Sequence, residues 1–289
     1  MRFLGFDPET TPAQRTKVGA VLVLAVLGIS SSAVLVRGMQ ADPLAIAAWR
    51  TLGAAVVLSP ALLRGLPALR RRDVIDLLGA GVLLGLHFWS WFTSVTLTSI
   101  LRSTLLVCLV PGWTALLEWM LRGTVPTRRH LLGLAIALPG LALLSGDDRH
   151  ASLDGDLLAG IAGLLWAAYL VVGRRVRQRV DAATTMCLVC LAGSLTLFAV
   201  GAGTGVRLTG FPSSTWGLLA LALAGPQLLG HQGFAYALRW VPASTLSTLM
   251  LLEPVGATLL AALVLHEIPQ REAVLGGALV LAGVWTASR

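Results

Sequence analysis

The sequence predicts an all-α polytopic membrane protein, with ten transmembrane helices arranged as two inverted five-helix repeats. Three observations predict it. Hydrophobic residues fill 56% of 289 positions against 12% charged, and the mean hydropathy is +0.79, so apolar runs must make up most of the chain rather than a single anchor. Most of the 22 Lys and Arg residues sit in short clusters between those runs, and chiefly on alternate connections. The back part of each half of the chain repeats at a fixed shift, with Pro and Gly positions in register.

Apolar runs between charge and Pro or Gly punctuation place the spans at 18–36, 43–63, 74–97, 99–121, 130–146, 155–173, 184–203, 215–238, 243–265 and 271–287. The chain then divides into a cytoplasmic N-terminal tail, 1–17, a first five-helix unit, 18–146, and a second, 155–287. The tail is polar and no convincing small-residue cleavage site follows Val36, so the first run is expected to stay as a span rather than leave as a signal peptide. The second span carries Arg50, the third His87 and Trp91, the fourth Ser103 and Pro111, the eighth His231, and the ninth Glu253 and Pro254. Connections are short, so no soluble domain hangs from the bundle and any function lies in its membrane part.

Orientation follows from the basic residues. Taking connections on alternate sides, one side holds Arg2, Arg15, Lys17, Arg64, Arg70, Arg71, Arg72, Arg122, Arg128, Arg129, Arg174, Arg175, Arg177, Arg179, Arg239 and Arg289. The other holds only Arg37, Arg102, Arg149, Arg207 and Arg271. One span missed or invented would reverse every later loop and erase the asymmetry. Both termini are therefore expected in the cytoplasm, with the protein in the cell's inner membrane.

A shift of 143 residues lays Pro111 on Pro254, Pro126 on Pro269, Arg128 on Arg271, Gly133 on Gly276, Gly140 on Gly283 and Ser145 on Ser288 without a gap. With one residue of slippage His87 meets His231. The front parts, 18–63 and 155–203, match poorly, and there the repeat rests on helix count. Five spans per unit is odd, so the two copies must cross in opposite senses, the architecture of alternating access.

Ionisable groups inside spans carry the most information, because an unpaired charge at the bilayer centre costs about 3 kcal/mol on insertion scales. Glu253 precedes Pro254, which removes a backbone donor and frees a carbonyl one turn earlier; the pair suits a site that binds and releases a proton or an amine, or a carboxylate that locks helix packing. Arg50 has three readings: bidentate contact with a substrate carboxylate, pairing with Glu253 in an empty site, or a purely structural ion pair. His87 and His231 serve as hydrogen-bonding or proton-relay groups, or pack on apolar faces against backbone carbonyls. Trp91, one turn from His87, forms a cavity wall or an aromatic packing contact, and Ser103 bonds a ligand or its own helix. Pro111 and Pro254 are the expected helix breaks. Glu118 and Arg122 read as an i,i+4 pair, and Gly81 with Gly85 as a close-packing GxxxG. Trp89, Trp113, Trp166, Tyr169 and Tyr236 add aromatic area within spans, whereas Trp49, Trp119, Trp216 and Trp240 lie nearer the ends, where an interfacial belt is expected.

Other functions are excluded in turn. His266-Glu267 begins an HExxH zinc motif, but Gln270 stands at the fifth position and Pro269 breaks the helix. GxGxxG, GxxxxGK and GxSxG are absent, and Cys187 and Cys190 have no second ligand pair, so no enzymatic activity, metal or cofactor is expected. The net charge of +8 lacks a basic patch interleaved with aromatics, which argues against nucleic acid.

The stretches HFWSWFTSVTLTS at 87–99, GHQGFAYALRWVPAS at 230–244 and LLEPVGATLLAALVLHEIPQ at 251–270 resemble the drug/metabolite transporter superfamily in its ten-helix EamA-like branch, over nearly the whole chain. Arg50, the Glu253-Pro254 pair and Glu267 look like recurring positions of that family. The resemblance implies a secondary transporter, most often an exporter of amino acids or related small metabolites, with a central cavity lined by spans one to four and six to nine. Two positions depart from the pattern: Thr124 is the first-half counterpart of Glu267, and Ala235 stands where a polar Asn often follows the Gly-His of the eighth span. The expectation is a secondary active transporter exporting a small polar solute through a midplane site, driven by protons or by the solute's own gradient. Its partners are then a small-molecule substrate, the lipid bilayer and protons, with the chain acting as a monomer or homodimer. An importer or exchanger of the same fold, and an intramembrane enzyme or binding scaffold, are the alternatives.

Overall fold

The first three helices start where a side chain takes up amides that a first turn leaves unpaired. Thr11 accepts from the Gln14 amide at 3.3 Å while the Gln14 side chain accepts from the Thr11 amide at 2.9 Å, and Pro12 follows at the first helical position, so α1 runs over Pro12–Arg37 with a local turn at Ser31. This capping box lies ahead of the apolar run, which is why α1 takes in residues 12–17 that composition alone assigns to a polar tail. Asp42 caps α2, 43–64, by accepting from the Leu44 amide at 2.8 Å; its last six residues, Ser59–Arg64, tighten into a 3-10 turn. Asp73 accepts from the Arg70 amide at 2.9 Å at the start of α3, Arg71–Leu97.

The computed structural model describes residues 6–7, 9–64, 69–98, 100–145, 152–264 and 271–287; Arg2, Arg149, His266, Glu267, Pro269, Gln270, Ser288 and Arg289 lie outside them. After α3 come α4, 100–122, α5, Arg128–Ser145, α6, Leu153–Arg177, α7, Ala182–Thr204, α8, 213–237, α9, 243–264, and α10, Arg271–Ala287. The described residues form helices and no strands. Six of the helices are individually long and apolar enough to cross a bilayer, namely α1, α2, α3, α4, α6 and α7. Large apolar side chains such as Val23, Val56, Ile75, Leu131, Leu195 and Leu281 stand exposed on the outer surface, as lipid contact requires. The chain is thus an all-helical, multi-pass membrane protein.

Three of the later elements are interrupted where the sequence placed single continuous spans. α4 breaks at Cys108–Leu109 between Ile100–Val107 and Val110–Arg122; α9 narrows to a 3-10 turn at Met250–Leu252. Both breaks lie just before a proline, Pro111 and Pro254, as expected from the lost donor. The carbonyl freed by Pro254 is that of Met250, and the Cys108 thiol donates to it at 3.6 Å, so the two breaks touch each other. α8 widens to a π-helix over Leu223–His231, which the apolar pattern did not announce.

Packing pairs helices from both halves: α3 lies on α6 and α7, α1 on α8 and α9, α2 on α7, and α5 on α10. Glycine sets the closest approaches. A Cβ added to Gly133 would lie 2.5 Å from the Gly283 carbonyl oxygen, and one added to Gly140 would lie 2.7 Å from that of Gly276, so α5 and α10 run antiparallel with their backbones in contact. Gly81 and Gly85 do the same for α3, meeting Val189 and Gly193 of α7, which gives the GxxxG spacing its packing role.

Candidate substrate site

The two kinked helices and the π-helical turn frame one buried pocket. Ile29 and Ser32 of α1, His87 and Trp91 of α3, Val107 of α4, His231 of α8, and Met250 and Glu253 of α9 line it, around a cavity of about 10 Å³. That is room for roughly one water molecule and far under the ~300 Å³ at which small-molecule pockets begin, so the site is closed in this state. Two apolar grooves, one between α4 and α5 and one between α3 and α7, are larger, but both lie among outward Leu side chains and offer no charged group. Chemistry places the site in the smaller pocket.

Glu253 is 4% exposed and lines this pocket at the turn between Met250–Leu252 and Glu253–Val264. Its backbone is anchored, because Ser30 of α1 donates to the Glu253 carbonyl at 3.1 Å. Its carboxylate makes no hydrogen bond or ion pair among the described residues. Buried carboxylates are ordinarily paired, so one on a cavity wall without a hydrogen bond stands out.

Arg50 is 1% exposed and sits beside the pocket rather than on its wall. Its Nε donates to Gln227 Oε1 at 3.0 Å and its Nη1 to Ser32 Oγ at 2.9 Å, leaving Nη2 without a partner. Phe88 and Phe92 cover the guanidinium, with ring centroids 4.4 and 5.4 Å from Cζ. Among the described residues it forms no ion pair with Glu253, so the pairing expected for an empty site is not made in this state.

His87 donates from Nδ1 to the Ala162 carbonyl at 2.9 Å, which fixes its ring between α3 and α6. His231 stands edge-on to Phe88 and Trp166, at 4.8 and 4.7 Å between centroids, and its Nδ1 has no partner. The two histidine rings lie 6.3 Å apart. Trp91 stacks beside His87 at 6.2 Å, with its indole nitrogen unpartnered. Sequence reasoning therefore brought His87, Trp91, His231 and Glu253 to one pocket and Arg50 to its edge. Ser103 is elsewhere: it accepts from Ser94 at 2.8 Å and bridges α4 to α3. Glu118 and Arg122 do approach each other, at 3.9 Å.

Three residues of the site were missed. Gln227 is fully buried in the π-helical turn and holds Arg50; its amide also reaches Cys190 Sγ at 3.5 Å. Ser32 supplies a polar group on the wall, and Trp166 packs behind it against the rings of His87 and His231. A signal existed for Ser32, since three consecutive serines, Ser30 to Ser32, interrupt an apolar run. Neutral Gln227, by contrast, costs little in a span and attracts no attention from a charge count.

Comparison with known proteins gives this pocket a setting. The model of the EamA-like transporter family matches twice, over residues 17–146 and 153–289. An uncharacterized transporter of Bacillus subtilis, YyaM, is 27% identical over 260 residues, covering 86% of this chain and 85% of its own. One of Archaeoglobus fulgidus is 26% identical over 279 residues, covering 93% and 96%. A probable terminal-alkyne amino-acid exporter of Streptantibioticus cattleyicolor is 28% identical over 200 residues, covering 65% and 63%. A crystal structure with a TM-score of 0.76 and 22% identity covers 94% of this chain and 96% of its own, which places the fold. With one family match on each half and little of the chain outside them, the protein belongs to the EamA-like transporter family.

Proposed function

We propose that this protein is a secondary active transporter that exports a small polar metabolite, an amino acid or related compound, by alternating access through the pocket between α1, α3, α4, α8 and α9. The observation that carries this reading is an unpaired, buried carboxylate on the wall of a closed pocket built from both repeats. A static scaffold gains nothing from that arrangement, whereas a carrier needs a charge whose partner changes between states. In this reading all ten helices cross the inner membrane, residues 18–146 and 155–287 form inverted halves, and both termini are cytoplasmic. One chain holds both halves, so the cycle needs no second copy.

The amino-acid exporter among the relatives supports the solute class. The test is flux into sealed vesicles carrying the purified chain, using a panel of amino acids and related small polar solutes, with and without an imposed pH gradient. Protein-dependent accumulation is expected, and its response to the pH gradient separates proton coupling from drive by the solute's own gradient. Absence of protein-dependent flux across the whole panel would overturn the proposal.

A further inference from the structure

The geometry of Arg50 and Glu253 assigns them unequal roles toward the ligand, a distinction that deepens the transport reading and rests on it. A guanidinium receives a carboxylate bidentately along one of two edges, Nε with Nη2 or Nη1 with Nη2. Gln227 takes Nε and Ser32 takes Nη1, so each edge is already half used. Phe88 and Phe92 cover the planar group. What remains without any partner is one nitrogen, Nη2, on a residue that does not line the pocket.

The pocket wall offers the opposite chemistry. Its charged lining residue is Glu253, without a hydrogen-bond partner among the described residues, and around it stand the aromatic rings of His87, Trp91 and His231. A carboxylate sharing a pocket wall with an indole is the chemistry that holds an organic ammonium, with electrostatic attraction from the acid and from the indole quadrupole of Trp91. The cavity of about 10 Å³ admits only a compact head group of about the size of a water molecule. We propose that the site reads its ligand through a compact ammonium group held by Glu253 against the aromatic wall, and that Arg50 positions Ser32 and the α8 turn without binding a ligand carboxylate.

Three probes of matched size test this with the purified full chain: n-butylammonium, 2-aminobutyrate and butyrate, titrated by calorimetry with thermal shift alongside. Both amines are expected to bind saturably and raise the melting temperature, and butyrate to do neither. Glu253→Gln, which keeps the shape, is expected to weaken both amines about tenfold or more, the loss typical of a charged hydrogen bond. Arg50→Lys is expected to leave the preference for amine over acid intact. Butyrate binding as tightly as butylammonium, neither amine binding, or full amine affinity in Glu253→Gln would each overturn the proposal. If a variant does not fold, the ranking of the three probes on the wild-type chain still decides. Vesicle flux on the same preparation separates the two readings: amine binding without flux removes the transporter, and amine-independent flux of acids removes the ammonium site.

Discussion

Asp181 opens α7 by accepting from the amides of Ala183 and Thr184, both at 3.0 Å, at the polar end of the bundle where Arg177 lies nearby. Partial burial works against its charge, but hydrogen bonds from Thr184 and Ala183 and the positive field of Arg177 outweigh it and hold the carboxyl below the ordinary Asp value. A folded-state value below the unfolded one means the charge stabilises the fold above about pH 4, and that this part is lost as pH falls through the folded value. Asp181→Ala is therefore expected to cost about 1 kcal/mol at pH 7. Asp181→Asn, still a good cap, is expected to lose less, with its deficit against wild type shrinking on acidification. Thermal unfolding of the three proteins at pH 7 and pH 4 checks both, and an Asn deficit that grows at low pH contradicts the account. At this scale the sequence made charge legible and neutrality invisible. Glu253 and Arg50 stood out because burying them is expensive, whereas Gln227, which fixes the direction of Arg50, reads as one more tolerable polar residue in an apolar run. Ser103, read as bonding a ligand or its own helix, instead accepts from Ser94 of the neighbouring α3.

The starts expected at 43 and 74 lie within a few residues of those of α2 and α3, whereas α1 begins at Pro12, six residues ahead of its apolar run, because Thr11 caps it; the interruptions of α4 and α9 lie just ahead of Pro111 and Pro254. The π-helical turn over Leu223–His231 was not legible, since a wide turn inserts a residue without changing composition, and only its contacts fix it. A Cβ on Gly28 of α1 would come within 2.9 Å of the Gly225 carbonyl oxygen, so α1 seats directly on that turn. The α5–α10 pair is the cleanest place to test packing. Gly283→Leu would drive a side chain into the Gly133 carbonyl, 2.5 Å from the position of the new Cβ, and overpacking of this kind costs ~1–3 kcal/mol. Gly217→Leu on α8, where no atom lies within 4 Å, is the matched control. A melting temperature lowered by several degrees in the first and unchanged in the second is the expected result; equal behaviour would mean that the two helices are not in backbone contact.

Across the whole molecule the charged contacts collect at two ends. Asp7 meets Arg174 at 3.0 Å, Asp73 meets Arg179 at 2.6 Å and Asp76 meets Arg175 at 4.0 Å at one end, while Arg102 holds Asp156 at 2.7 Å at the other. Arg174 and Arg177 at the first end also donate to carbonyls that close α8, those of Leu238 and Val241 and of Ala235. These are the residues whose loops carry the excess of positive charge, so that end is expected to face the cytoplasm. The symmetry of the packing agrees with an inverted arrangement. The shift of 143 that turns Gly133 into Gly276 and Gly140 into Gly283 carries the Gly133–Gly283 contact onto the Gly140–Gly276 contact, and the two helices so related run antiparallel. Equivalent helices that cross in opposite senses require an odd number of crossings in each half. Reporter fusions test this at the level of the fold. Reporters at both ends of the chain are expected to report cytoplasm, and one inserted within 146–151 to report the opposite side. If the two ends report different sides, one half contains an even number of crossings, and the inverted repeat with its shared pocket falls.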